Sequence, residues 1–358
     1  MTRETYRVAI VGCGRMGQHY VEVYQALPNT EVVAIAEYDA DRRRAVGERF
    51  GVSALFPDAE AMLREVVPDI AAVVLPGKHI KDAVIACAES GVRAVSTDKP
   101  IGACLADVDA MVDTCEQRGA VFAGGNLQRA MGEVQEAARW IHAGEFGTLR
   151  GASVHGWGGE ISGGGCQHIA VLRLFSGAEV SGITAWGHPD EALHGETDEG
   201  LIINAEFRLS SGLTCPVFGE PTPSRGVDVW TEDCLVRWDW GPPEVYRGLA
   251  ADGSRTRLKR PYTPLAYPQF GYLGTSILSF LDVLENGGQL AISGHDLRQS
   301  LEVAIAAKHS ALWGNVPVDL PLRDRSLTLY PRAYRWLGGD HSGRRQSVEE
   351  ARHNTQSA

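Results

Sequence analysis

The chain has 358 residues, enough for about two domains. Hydrophobic residues make up 44% and charged residues 22%, ordinary for a soluble globular protein, and a formal net charge of −11 speaks against nucleic acid or an anionic membrane as partner. No apolar run reaches the ~18 residues of a membrane span, and the polar opening Met1–Tyr6 lacks the pattern of a signal peptide.

The first predicted strand, Arg7–Val11, is a short apolar run that enters Gly12-Cys13-Gly14-Arg15-Met16-Gly17, a G-x-G-x-x-G turn. A helix over Gln18–Leu27 follows and stops at Pro28-Asn29. Gly12 permits the tight turn, Gly14 lets a pyrophosphate approach the backbone, and Gly17 lets helix and strand pack closely. The helix N-terminus then offers its first N–H groups to the phosphates. A second strand, Glu31–Ala36, ends at Glu37, about twenty residues past the last glycine, where an acid accepts both ribose hydroxyls. This setting separates the motif from a glycine turn that binds nothing. It predicts a dinucleotide on Gly12 to Gly17, Cys13, Arg15 and Met16 included, and on Glu37.

Strands and helices then alternate to about Gly125. Helices are predicted over Ala40–Phe50, Ala59–Val66, Ile80–Ser90 and Leu105–Arg118, and strands over Ile70–Leu75, Val92–Thr97 and Ala120–Ala123. Apolar strands alternating with amphipathic helices imply a parallel sheet covered on both faces. Strand ends in such a sheet face the cofactor crevice, which brings in Leu75 and Pro76 after one strand and Lys99 after another. Near Gly124 the pattern changes. A linking helix over Glu133–Ala143 leads to strands over Ala152–His155, Glu179–Trp186, Gly200–Leu209, Leu213–Phe218, Gly226–Thr231 and Cys234–Asp239, which alternate like half-exposed antiparallel strands. Helices over Ser276–Glu285 and His295–Trp313 close this half, and the polar tail after Gly338 is expected to be disordered. The expected domains are 1–125, 126–337 and the tail 338–358.

Lys99, in Thr97-Asp98-Lys99-Pro100, can hydrogen-bond a substrate oxygen and stabilise charge as hydride moves. A solvated loop lysine is the competing reading. Here a resemblance becomes specific. The chain to about Leu322 resembles the Gfo/Idh/MocA family of sugar and cyclitol oxidoreductases. The family's Glu-Lys-Pro appears as Asp98-Lys99-Pro100, and a later signature appears as Ala143-Gly144-Glu145-Phe146-Gly147. Its closing pattern appears as Ile292-Ser293-Gly294-His295-Asp296 followed by Val316-Pro317-Val318-Asp319-Leu320-Pro321. Asn126 to Arg129 stand where the family has a polar, Arg-bearing loop. The resemblance implies an α/β protein, an N-terminal Rossmann domain with a C-terminal α+β domain on an open-faced, mainly antiparallel sheet. It places Lys99 at nicotinamide and substrate, Asn126 at the cofactor, and Gln128 and Arg129 at the substrate. It also implies a homodimer or homotetramer through the open face, which strands around Trp230, Trp238 and Trp240 would suit.

The sequence departs from the family where a second-domain helix normally starts with Asp-x-Gly-x-His-x-x-Asp. This chain has Gly163, Gly165, Gln167 and Ala170 there. Glutamine cannot exchange a proton near neutral pH, so the usual acid/base is missing and Gln167 becomes a substrate-contact candidate. Lys99, His168, His155 and His79 are the candidates for its role, His168 being next to Gln167 but about 100° away around a helix. Trp157 could floor a sugar ring, or fill a core edge. The cluster from His188 to Glu199 reads as solvated loop residues, and no metal is expected. Arg42-Arg43-Arg44 open a helix beside Glu37, whose charge repels a 2′-phosphate, so NAD is favoured over NADP. Seven scattered cysteines without a C-x-x-C pair read as reduced thiols, and a cytoplasmic location is expected. The expected activity is NAD-dependent hydride transfer on a sugar, cyclitol or related small molecule. The alternatives are elimination or glycoside cleavage through transient oxidation, and a non-catalytic NAD-binding protein.

Overall fold

A computed structural model describes residues 5–125, 127–223, 225–249 and 254–331. The chain divides into two compact units, each described on its own. Among the described residues the first holds 5–125 and 277–298, and the second holds 127–276 and 299–331. The expected tail beyond Gly338 lies outside the described residues.

The first unit alternates β1 (Tyr6–Val11), α1 (Arg15–Ala26), β2 (Thr30–Ala36), α2 (Ala40–Phe50), β3 (Leu55–Phe56), α3 (Ala59–Leu63), β4 (Ile70–Val73), α4 (Ile80–Glu89), β5 (Ala94–Thr97), α5 (Leu105–Arg118) and β6 (Val121–Gly124). The six strands form one parallel sheet in the order β3-β2-β1-β4-β5-β6. Strand order reverses beside β1, the switch point at which open α/β sheets bind ligands. Every residue of β4 and β5 is buried, as expected of strands covered on both faces. Asp39 caps α2 by accepting from the Asp41 and Arg42 N–H groups, and Gly51 and Gly119 end α2 and α5 at φ +68° and +69°, where a side chain would be strained. Residues 277–298 rejoin this unit through the Gly124 N–H to the Ile292 carbonyl, 3.0 Å. Ser293 and Asp296 then form a reciprocal capping pair, each side chain accepting from the other's N–H.

The second unit contains α6 (Gly132–His142), β7 (Leu149–His155), α7 (Cys166–Ser176), β8 (Val180–His188), α8 (Asp190–His194), β9 (Ile202–Leu209), β10 (Thr214–Phe218), β11 (Gly226–Thr231), β12 (Cys234–Trp238), β13 (Glu244–Leu249) and β14 (Arg255–Leu258). The chain continues through α9 (Gly271–Asn286) and α10 (Gly294–Leu312) to β15 (Val318–Asp319). Nine strands pair in the order β14-β13-β12-β11-β7-β10-β9-β8-β15, all antiparallel except β7 beside β10. The sheet's paired residues sort its faces: Ser153 opposes Asp228 and Asp228 opposes Arg237, so these share one polar face. Val154, Val227 and Trp238 share the other, buried face. Alternation does not reveal β13 and β14; β14, Arg-Thr-Arg-Leu, is the charged edge strand of the sheet. No helix among the described residues is long and apolar enough to cross a membrane.

Candidate active site

In the first unit the register sets the site. Val11 lies level with Ala36 and Val73, Val73 with Thr97, and Thr97 with Gly124. The residues that follow, Gly12, Glu37, Val74, Asp98 and Gly125, therefore line one carboxyl edge. Gly12 has φ +92°, and a Cβ there would come within 2.4 Å of the Val74 carbonyl. A Cβ on Gly17 would stand 1.9 Å from the Gly12 carbonyl, so this close approach of helix to turn requires glycine. Nothing lies within 4 Å of a Cβ position on Gly14, which leaves its backbone open to a ligand. No side chain caps α1 at Gly14, and no acid occupies the first turn, so its N-terminal partial charge is left for an anion. Arg15 is exposed and Met16 half-buried at the start of that helix, whereas Cys13 is fully buried and its thiol is pushed far up by burial.

Glu37 lies against this turn. Its Oε2 accepts the Cys13 N–H at 2.8 Å, and its Oε1 accepts the Asp39 N–H at 3.0 Å and Arg42 Nη1 at 3.3 Å. A carboxylate offers about four acceptor positions, so one remains for a ribose hydroxyl. These residues fit a dinucleotide: an open backbone, an uncapped helix and an oriented acid. Leu75 Cδ2 packs 2.8 Å from the Gly12 Cβ position, and Pro76 is exposed beside it. Lys99, half-buried, stands two residues past β5, its N–H donated to Asp98 Oδ1 at 2.6 Å. His79 is exposed, and burial followed by the charge of Lys78 lowers its pKa. Asn126 lies outside the described residues.

The second unit gathers Gln128, Arg129, Gln167 and His168. The α7 N-terminus follows Gly163-Gly164-Gly165, and its first turn is tight: the Gln167 N–H reaches the Gly164 carbonyl and the His168 N–H the Gly165 carbonyl. Gln167 Oε1 accepts the Gln128 N–H at 2.7 Å, and Gln128 Oε1 accepts Trp238 Nε1 at 3.2 Å. This chain fixes both amide orientations. Arg129 Nη1 donates to the Ala170 carbonyl at 3.0 Å. His168 is 3% exposed, edge-on to Trp238 and Trp240 with centroids 5.7 Å away in each case, and neither ring nitrogen has a partner. Burial first, and the charge of Arg225 second, push its pKa down to about 3, so the ring is neutral at neutral pH.

Three expectations are corrected. Trp157 cannot floor a sugar: it is 1% exposed, its Nε1 donates to the Gly165 carbonyl at 3.1 Å, and Phe207 meets its ring edge-to-face. His155 does not join the Gln167 cluster. Its ring stacks on Phe218 on the polar sheet face, with Nε2 2.8 Å from Ser153 Oγ and 3.6 Å from Asp228 Oδ2. Both neighbours address the same nitrogen, so this Ser-His-Asp set is not a nucleophile relay, which needs one partner on each ring nitrogen. Trp238 does not belong to the open face; it is fully buried behind Gln128, while Trp230 covers Gly151 on the other face. Sequence reasoning also missed Arg225, and it assigned Trp240 to the open face where the structure sets it beside His168. Trp240 takes φ +58°, rare for a bulky residue, stacks on Trp238, and carries the Arg225 guanidinium 4.6 Å from its ring centre.

Comparison with known proteins agrees with this reading. Residues 6–125 match the model of the oxidoreductase family with the NAD-binding Rossmann fold, Gfo/Idh/MocA. D-apiose dehydrogenase of Paraburkholderia graminis is 24% identical over 340 residues, 87% of this chain and 89% of its own. Myo-inositol 2-dehydrogenase of Thermotoga maritima is 28% identical over 325 residues, 85% of this chain and 96% of its own. The aldose-aldose oxidoreductase of Caulobacter crescentus, solved with glycerol, shares the fold at a TM-score of 0.74 and 18% identity, covering 88% of this chain and 100% of that one. With its glycine turn, its acid at the end of β2 and its lysine after β5, the segment 6–125 matches the NAD-binding Rossmann domain of the Gfo/Idh/MocA oxidoreductase family.

Proposed function

We propose that the protein transfers hydride between NAD and a CH–OH or C=O group of a polyhydroxylated sugar or cyclitol. The observation that carries this reading is the carboxyl edge of the first sheet, where Gly12 follows β1, Glu37 follows β2 and Lys99 stands two residues past β5, with Gly17 of α1 packed on the Gly12 carbonyl. The names of the relatives, dehydrogenases of D-apiose and of myo-inositol, support the substrate class. Bound NAD supplies the hydride acceptor. Glu37 accepts from the ribose and the α1 N-terminus faces the pyrophosphate. Lys99 hydrogen-bonds the substrate oxygen and would pass the proton, giving it to the alkoxide formed as hydride reaches a carbonyl or taking it from the alcohol as hydride leaves. Gln167, whose carbonyl accepts the Gln128 N–H, is the second unit's candidate contact for a substrate hydroxyl. Gln128 and Arg129 hold that loop in place.

The same reading takes the seven scattered cysteines as reduced thiols of the cytoplasm. It takes the polar sheet face, with Trp186, Phe218 and Trp230 exposed, as the interface of a homodimer or homotetramer. The test is a screen of aldoses, ketoses and inositols with NAD, reading absorbance at 340 nm and product by mass spectrometry. NADH formed in step with an oxidised polyol is expected. Product without net NADH would replace simple oxidation by elimination through a transient ketone. Neither product nor NAD binding would overturn the reading.

A further inference from the structure

Arg225 carries a charge that no acid answers. Arg173, Arg208, Arg237, Arg257 and Arg260 of the second unit each meet a carboxylate at 2.5 to 2.7 Å. Arg225, exposed just before β11, has no carboxylate or carbonyl partner among the described residues. An aromatic face holds it instead, with the guanidinium 4.6 Å from the Trp240 ring centre. A cation on a ring face is held by the ring's quadrupole, which accepts none of the guanidinium's five N–H donors. Two unusual backbone positions build this arrangement. Trp240 takes φ +58°, costly for a bulky side chain. Gly226 takes φ +141°, and a Cβ there would stand 2.0 Å from the Trp238 carbonyl. Glycine thus lets the chain after Arg225 close against the end of β12, where Val227 pairs with Trp238. The indoles then lead to the substrate-contact candidates. Trp240 stacks on Trp238 with centroids 5.5 Å apart, Trp238 donates to Gln128, and the Gln128 N–H is taken by Gln167. Trp240 Nε1 is buried and meets no acceptor among the described residues. Burial first, and the Arg225 charge second, lower the pKa of His168, so that charge is felt one residue from Gln167. Asp228, on the strand that Arg225 precedes, is committed to Arg237 by hydrogen bonds of 2.9 and 2.7 Å.

We propose that Arg225, held on Trp240, recognises a carboxylate of the substrate, which makes that substrate a sugar acid and not a neutral sugar. The proposal rests on the hydride-transfer reading above and narrows its substrate. The planar fork of a guanidinium matches a carboxylate with two parallel hydrogen bonds, both charge-assisted. Arg225 is the one cation stacked on the two indoles among the described residues, and His168 beside them is neutral. The cluster therefore balances a single negative charge, as a carboxylate carries, and leaves one charge of a phosphate dianion unmet.

The test uses the full chain with NAD and matched pairs that differ by a carboxylate in place of a hydroxymethyl group: glucose and glucuronate, galactose and galacturonate, sorbitol and gluconate. Glucose 6-phosphate is the phosphate arm. Turnover is read at 340 nm, and binding by quenching of tryptophan fluorescence. Wild-type protein should bind at least one acid about 10–100-fold more tightly than its neutral partner, the range of one charge-assisted contact. Arg225→Met should abolish that advantage through KM, leaving kcat and the neutral partner's KM nearly unchanged, and Arg225→Lys should restore part of it. The side chain is exposed, so both variants should melt with the wild-type protein. A loss confined to KM and to the acids is one that a merely structural role would not produce. An acid preference that survives in Arg225→Met would overturn the proposal. So would wild-type protein that binds NADH but prefers no acid of the panel to its neutral partner. Preference for glucose 6-phosphate would overturn the carboxylate assignment. Failure of wild-type protein to bind NADH would instead overturn the hydride-transfer reading itself.

Discussion

His168 should make the protein acid-sensitive. Its ring is buried edge-on to the stacked indoles of Trp238 and Trp240, and burial pushes its pKa down to about 3 from 6.5. The unfolded state therefore takes up a proton that the folded state refuses. Stability from this residue is fully present above pH 6.5 and falls as pH drops toward 3. Each pH unit within that window costs about 1.4 kcal/mol, so at pH 5 the loss from this one ring is about 2 kcal/mol. His168→Phe keeps an aromatic ring against both indoles and removes the titration. Urea unfolding at pH 7.5, 6 and 5, followed by circular dichroism, should give a flatter dependence of stability on pH in the variant. Equal slopes in the two proteins, or an NMR titration of the His168 ring near pH 6.5, would refute the reasoning.

Two further outcomes follow from the site. Lys99→Met keeps most of the stem but removes the donor, so single-turnover rate on an identified substrate should fall by about 10²–10³ while the NAD dissociation constant stays nearly unchanged; a near-normal rate would remove Lys99 from the chemistry. Gln167→Ala removes a group that does not ionise, so pH–rate profiles should keep their shape while KM rises by about tenfold, and an ionisation lost with the side chain would show that Gln167 is not a simple donor.

The first unit was legible because each of its signals has one mechanical meaning. Gly12 and Gly17 stand where a Cβ would strike the Val74 and Gly12 carbonyls, and no other residue tolerates both positions. The fully apolar run of β4 reads as a strand buried on both faces, and it is one. The pairing of Glu37 with Arg42 was not legible. A run of three arginines does not reveal that one turns inward to a carboxylate, one reaches a carbonyl and one faces solvent. The second unit was harder for a related reason. Alternation tells which residues share a face, and it does not tell which face is covered. Trp230 and Trp238 lie on opposite faces of adjacent strands, yet both look like interface tryptophans in the sequence. The return of residues 277–298 to the first unit is a long-range contact with no local signal beyond the Ser293–Asp296 capping pair.

The altered α7 start narrows what the enzyme can ask of its substrate. A histidine at position 167 would titrate, orient and accept; the glutamine there has its carbonyl committed to the Gln128 N–H, whose own side chain is committed to Trp238. His168, next along the chain, cannot take over the missing role while it stays neutral and enclosed. On the proposed reading Gln167 contacts substrate without exchanging a proton, and the proton passes to Lys99 or to solvent, the outcome that the Lys99→Met and Gln167→Ala variants test.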